Sequence, residues 1–339
     1  MDPRMPLEQI PPYARRVEAL GFDGLHASET VHDAFAVALL ALEHTDRLVV
    51  RTSVALAFVR SPLLTAYTAW DLTCFSGGRF QLGLGTQIRQ NIEERYGMPF
   101  GDPIGRMRDY LDAVESAFAA FRTGDGMAHV GHYYRLTRMQ PYFNAGPDPD
   151  VEPPPIYLGG VNREMCRLAG ARAAGFVTHP TNSSPRYLTE LCLPHLRAGA
   201  SEAGRDLAKL EIVAGSPIIT GRTPDELAVA REHQRRMFAF LYSTPAYART
   251  LELYGHADLV PQLQQMIRTD RWSELPSLVG DDLLDELIPA ATYADLPDLL
   301  LERYRGLASG LVLTPPADPA ADDAFRDVVR ALRSGSRAG

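Results

Sequence analysis

Between positions 26 and 33 the chain reads His-Ala-Ser-Glu-Thr-Val-His-Asp, a short run that carries two imidazoles and two carboxylates. Such a group can bind a metal ion or move a proton. The H-E-x-x-H spacing of a helical zinc site is absent, and no third, distant ligand presents itself, so no metal is expected. A histidine whose ordinary pKa lies near neutrality serves as a hydrogen-bond donor or proton carrier. His26 falls inside a short strand and reads as structural, whereas His32 lies in the loop beyond it and is the catalytic candidate.

Two glycine-bearing segments could hold a cofactor. In Ser76-Gly77-Gly78-Arg79-Phe80-Gln81-Leu82-Gly83-Leu84-Gly85-Thr86 the glycines lie within and after a strand, without the G-x-G-x-x-G spacing that opens a dinucleotide-binding helix. Gly83 and Gly85 therefore point either to tight packing within the strand layer or to the close approach of a flat ring. In Pro155-Ile156-Tyr157-Leu158-Gly159-Gly160-Val161-Asn162 a strand runs into glycines and then a helix. Its first amides can bind a phosphate, or the segment is an ordinary strand-to-helix turn. The following unit, Gly175 to Ser184, adds His179, Thr181 and Asn182, and loops from adjacent strands can share one phosphate.

Other chemistries find little footing. Lys209 is the only lysine, which leaves almost no candidate for a Schiff base, and no G-x-S-x-G elbow occurs. Cys74, Cys166 and Cys192 are odd in number and far apart in sequence, so they build neither a disulfide framework nor a CxxC motif. Phe58, Trp70, Tyr242 and Tyr247 are the aromatic candidates for a substrate pocket, with plain core packing as the alternative for each.

Helical patterns alternate with short β-branched runs, the mark of βαβ units and a parallel sheet. Helices are expected at about Leu7–Leu20, Ala34–Leu42, after Pro62, and Pro103–Phe121. Strands are expected at Gly24–Ala27, Leu48–Val54, Arg79–Gly85, Ile156–Gly160, Gly175–His179, Leu210–Thr220 and Gly310–Thr314. Seven strands fall one short of a TIM (β/α)8 barrel, and the missing one belongs before the first helix. Met1–Pro6, with two prolines and no β-branched residue, cannot supply it, so the first strand is read as missing or degenerate. A gap leaves two unpaired edges, which a partner subunit or an extended N-terminal segment is expected to cover. The charged stretch 224–289 reads as a helical insertion or lid after strand seven, within one barrel domain spanning 1–339.

Composition sets the outer limits. Of 339 residues 45% are apolar and 22% charged, enough for a large globular core, and a net charge of −8 disfavours nucleic acid as a partner. No apolar run approaches the roughly 20 residues that span a bilayer, and the N-terminus lacks an apolar signal core. A cytoplasmic protein without membrane contact is the expectation.

The chain resembles the luciferase-like monooxygenase superfamily, and within it the coenzyme F420-dependent oxidoreductases. The resemblance is carried by Glu18–Leu25, Ser28–Asp33, Arg51–Val54, Arg60–Pro62, Leu72–Phe80, Leu82–Thr86, Pro154–Gly160 and Leu168–Gly170, in that order along nearly the whole length. It implies a flavin or deazaflavin across the carboxyl ends of the strands, with His32 beside the reacting ring and a non-proline cis peptide at Ser53-Val54. Thr52, Gly85, Thr86 and Asn91 are further ring-side candidates. The phosphate is expected near Gly159, Gly160, Val161, Asn162, His179, Thr181 and Asn182. Gln87 and Ile88 stand where some F420 dehydrogenases carry a glycine and then a proton-handling glutamate, which disfavours the sugar-phosphate dehydrogenase branch. The Tyr242–Tyr247 stretch resembles a subgroup of F420-dependent oxidoreductases. The implied activity is hydride transfer between F420 and a small organic substrate, in a homodimer served by an F420 or flavin reductase. An FMN-dependent monooxygenase of the same fold and a non-catalytic barrel scaffold are the alternatives.

Overall fold

The computed structural model describes residues 1–337. Its contacts divide the chain into two compact units, one of residues 1–160 and 171–175, the other of 161–170 and 176 onward.

The first unit opens with α1 (Ile10–Ala19), β1 (Gly24–Ala27), α2 (Ala34–Glu43), β2 (Val49–Thr52), the two-residue β3 (Ala55–Leu56), α3 (Pro62–Ser76) and β4 (Phe80–Gly85). It continues through α4 (Pro103–Thr123), a hairpin of β5 (His129–Val130) and β6 (Arg135–Leu136), and β7 (Ile156–Gly159). Strands β1, β2, β4 and β7 lie in that order and run parallel, as right-handed βαβ units require. The register sets Gly24 against Val49, Val50 against Phe80 and Leu82 against Ile156. Because a parallel sheet is buried on both faces, its strands are largely apolar: Val50, Phe80, Leu82, Leu84 and Leu158 are fully buried.

Sequence signals place the helix ends. Asp33 caps α2 by accepting from the Phe35 and Ala36 amides, and Asp102 caps α4 through the Ile104 and Gly105 amides. Pro62 sits in the first turn of α3, which stops at Gly77 in the left-handed region, φ 63°.

The second unit carries α5 (Arg163–Arg172), whose last two residues belong to the first unit, then β8 (Gly175–Val177), α6 (Pro185–Tyr187), α7 (Leu193–Glu202) and β9 (Glu211–Ala214). After β10 (Ile219–Gly221) come α8 (Pro224–Tyr242), α9 (Ala248–Leu253), α10 (Leu259–Arg268), α11 (Asp281–Leu287) and β11 (Ala290–Thr292). It closes with α12 (Leu296–Tyr304), β12 (Gly310–Leu311) and α13 (Asp322–Arg337). The Thr178 amide donates to the Val213 carbonyl at 3.0 Å, and β12 pairs with β9 in parallel. The segment 224–289 is helical, and Phe238, Tyr242, Leu251, Leu263 and Leu284 form a core within it.

The run Leu210–Thr220, expected as one strand, is two. Ser216-Pro217 interrupts it, Pro217 having no amide to donate, and Ile219–Gly221 pairs instead with Ala290–Thr292 in a separate small parallel sheet. That partner was not anticipated, because Ala290-Ala291-Thr292 is too short and too weakly β-forming to stand out. The seven strands otherwise fall where the pattern set them, and no strand precedes α1 among the described residues. No helix among them is long and apolar enough to cross a membrane.

Candidate active site

His32 lies just beyond β1, in a loop bracketed by Glu29 and by the α2 cap Asp33. Arg60 ties those two carboxylates together, donating to both oxygens of Glu29 and to Asp33 Oδ2. Glu29 Oε2 also accepts from the Leu56 amide at 2.6 Å, so the loop is fixed to β3 as well. Burial works against the Asp33 charge, but hydrogen bonds from Arg60 and from the α2 amides outweigh it and hold the carboxyl below its usual range. Glu29 and Asp33 thus hold Arg60 rather than a metal ion. The His32 ring, half-buried between them in sequence, has no hydrogen-bond partner among the described residues. Arg60 carried no role in the sequence reading; the available signal was a lone guanidinium ending the apolar run Ala55–Val59.

The neighbouring strand ends are built to close tolerances. The Ser53-Val54 peptide is cis, as the resemblance implied. Thr52 Oγ1 donates to the Gly83 carbonyl at 2.8 Å and accepts from the Gly83 amide at 2.9 Å, which commits its fully buried side chain to the strand partner. A Cβ on Gly83 would fall 1.8 Å from the Thr52 carbonyl oxygen, and one on Gly85 would fall 2.5 Å from Val54 Cγ2. Between the two readings of these glycines, packing of the chain against itself accounts for both. Ser53, Val54, Thr86 and Asn91 are half-buried. Gln87 takes φ 60° and turns the chain, with its own Oε1 accepting from the Ile88 amide. Asn91 opens the turn Asn91–Arg95, and Arg95 donates to the Thr30 carbonyl at 2.8 Å, bringing that turn to the His32 loop.

Two aromatic candidates are corrected. Trp70 packs its ring against Phe118 and Phe121 where α3 meets α4, in the helical layer rather than at the strand ends. Phe58 is fully buried, edge-on to Phe100 and beneath the Arg106 guanidinium. Both are core residues, their rings covered by neighbouring side chains of the protein itself.

His26 is structural. It points to Arg51, whose Nη1 lies 3.2 Å from His26 Nε2, whose Nε donates to Gln81 Oε1 at 2.7 Å, and whose guanidinium stacks 3.6 Å above the Tyr157 ring. Burial, then the Arg51 charge, pushes the His26 pKa down to about 3.

In the second unit Asn162 caps α5: its Oδ1 accepts from the Met165 amide at 2.8 Å, so the side chain is spent on the helix and the amides of Arg163 and Glu164 are left for an anion. Val161 is held through its carbonyl, which accepts from the Tyr187 hydroxyl at 2.6 Å. Gly159 and Gly160 precede it at the end of β7. His179 caps the turn Pro180–Asn182, and Thr181 and Asn182 are buried within it. Tyr242 and Tyr247 both reach this turn. The Tyr242 hydroxyl donates to the Thr181 carbonyl at 2.9 Å, and the Tyr247 ring stacks on His179 with centroids 4.4 Å apart.

The solved structure of coenzyme F420 dependent tetrahydromethanopterin reductase from Methanopyrus kandleri matches 98% of this chain and 96% of its own, at a TM-score of 0.80 and 21% identity. That likeness shows the fold to be a TIM-barrel type. The chain belongs to the luciferase-like monooxygenase family, whose model matches residues 1–310, and it is therefore an enzyme of an oxidoreductase family. An uncharacterised protein of Mycobacterium tuberculosis is 37% identical over 291 residues, 86% of this chain and 85% of that one. The F420-dependent glucose-6-phosphate dehydrogenase of Nakamurella multipartita is 29% identical over 279 residues, covering 81% of this chain and 75% of that protein.

Proposed function

We propose that the protein is an F420-dependent oxidoreductase that transfers a hydride to or from a small organic substrate. The observation that carries this reading is the His32 loop: an imidazole with no internal partner, flanked by two carboxylates that Arg60 bridges. A side chain so placed is braced for proton transfer to a ligand rather than for holding the fold. The second support is the group of relatives and structures whose names carry F420.

In the first unit Ser53, Val54, Thr86 and Asn91 are the ring-side residues, Gly85 leaving the room that the Val54 side chain occupies. In the second unit the first-turn amides of α5, with the His179 ring, make a donor set that suits a phosphate ester, Thr181 holding that ring in place. Gly159, Gly160, Val161 and Asn162 shape the approach to that helix start, and Asn182 supports the turn from within. Bound F420 would supply a carbon that gives or takes a hydride. His32 would give or take the accompanying proton, and within the second unit Tyr242 and Tyr247 of the insertion 224–289 would wall the loop that carries His179. We propose further that the chain works as a single-domain homodimer with a reductase restoring its cofactor.

Titration of the purified protein with F420 and with FMN, read by fluorescence quenching, tests the cofactor. Micromolar FMN binding with no F420 binding would overturn it. The family model's description names a monooxygenase, which supports an FMN-dependent monooxygenase as the second reading. Oxygen consumption with reduced FMN would establish that one.

A further inference from the structure

His179 is held from two directions within the second unit. On one side its Nδ1 accepts from the Thr181 amide at 3.3 Å and lies 2.8 Å from Thr181 Oγ1. An amide can only donate, so Nδ1 must carry a lone pair, and in a neutral ring the proton then sits on Nε2. On the other side the Tyr247 ring, from the turn Pro245–Tyr247 of the insertion, lies over the imidazole at an interplanar angle of 17°. The turn itself cannot shift easily. The Thr181 carbonyl accepts from both the Tyr242 and the Thr250 hydroxyls, and the Ser183 carbonyl accepts from the Tyr304 hydroxyl at 3.1 Å. Thr181, Ser183, Tyr242, Thr250 and Tyr304 are all buried.

We propose that this loop presents His179 as a permanently neutral imidazole with a fixed Nε2–H donor, and that Tyr247 is the positioning residue that sets the plane of that donor. The proposal rests on the anion-side assignment of the loop and deepens it: the site reads a ligand oxygen that accepts a hydrogen bond, such as a phosphate ester oxygen, by direction rather than by countercharge. The helical insertion then acts as a brace for this loop and not as a swinging cover, because three of its side chains are bonded to or stacked on the turn. Burial alone, with no charged neighbour, pushes the His179 pKa down to about 4, which keeps the ring neutral through the physiological range. The groups facing it are Thr181 and the Tyr247 phenol, with the Tyr242 phenol behind Thr181.

The test is NMR of the full-length protein labelled with 15N-histidine, the His179 signals being assigned by their loss in H179Q. Expected is a ring protonated at Nε2 whose shifts stay constant from pH 8 to about 5, where an ordinary histidine would titrate near 6.5. Tyr247→Phe should preserve that pattern, whereas Tyr247→Leu should mix the tautomers and weaken inorganic phosphate binding up to about tenfold, the worth of one well-aimed hydrogen bond. A wild-type ring protonated at Nδ1, or one that titrates near 6.5, overturns the proposal. So does a Tyr247→Leu variant with the wild-type tautomer and phosphate affinity. The spectrum of the protein without cofactor is indifferent to whether F420 or FMN binds, so failure here and failure of the F420 reading are separable.

Discussion

The two candidate loops solve one problem with different physics. Ser28–Asp33 in the first unit is braced by charge: one guanidinium spans two carboxylates, which in turn hold a strand amide and a helix start. His179–Ser184 in the second unit is braced by neutral groups: three hydroxyls bonded to carbonyls, and one stacked ring. Charge suits a loop at the half-open edge of a strand, where water still stabilises Asp33. Neutral bonds suit a turn whose residues are buried, where an unmatched charge costs several kcal/mol. The lesson is that the histidine left without an internal partner, His32, is the one to expect in chemistry, and the one locked by Thr181 and Tyr247 is the one to expect in recognition.

The largest expected effect falls on the unbraced histidine. His32→Ala should lower turnover by about 100- to 10,000-fold, the usual worth of a positioned acid or base, with stability changed by less than about 0.5 kcal/mol. Steady-state kinetics beside urea melts decides it, and an unchanged kcat would remove the assigned role. Arg60→Ala attacks the charged brace. Glu29 is 8% exposed at its side chain, so stranding its carboxylate should cost about 3 kcal/mol in a denaturant titration. A loss below about 0.5 kcal/mol would show that water, not Arg60, satisfies these carboxylates.

Gly83→Ala tests the strand contact beneath the same loop. With the new Cβ 1.8 Å from a backbone oxygen, two strands must separate, at a cost of about 2 kcal/mol seen as a lower melting temperature. Tyr242→Phe removes one of the neutral bonds and should cost only about 1 kcal/mol, since Thr250 still donates to the same carbonyl.

Acid stability distinguishes the braces through their pH windows, since every one of these groups loses stability as pH falls. The Asp33 pKa is lowered by folding, so its contribution is complete above the ordinary carboxylate range and is lost as pH falls through the depressed value. His179 and His26 are also depressed, to about 4 and about 3, so the folded state refuses protons that the unfolded chain binds below 6.5. Stability therefore declines from pH 6.5 toward 4, with each histidine contributing at most about 1.4 kcal/mol per pH unit. His179→Gln should flatten part of that decline and leave the share due to His26. A wild-type stability flat from pH 7 to 4.5 would contradict both assignments.

Much of this was readable from residue order alone. Short β-branched runs between helical patterns set the alternating elements, because a parallel βαβ chain must bury both faces of each strand and one face of each helix. Pro62 marked a helix start, its fixed φ needing no distant partner, whereas the caps Asp33 and Asp102 showed themselves only in the structure. The loop bearing His32 and the loop bearing His179 were legible as places where strands run out into polar residues. Arg60 could not be assigned, since its two partners lie about 30 positions upstream and nothing local distinguishes it from a solvated arginine. Trp70 and Phe58 were misplaced for the related reason that an aromatic side chain looks the same in sequence whether it faces a ligand or another helix.

The amino-acid order by itself determined the class of chain, the βα rhythm and the identity of the two histidine loops, all of which depend on neighbours within a few residues. Only the tertiary structure decided which glycines face their own chain, which carboxylates are already paired, and which histidine is locked and which left open. Those outcomes depend on atoms brought together across tens of residues, and at distances of 2–3 Å a difference of one ångström separates a hydrogen bond from a clash.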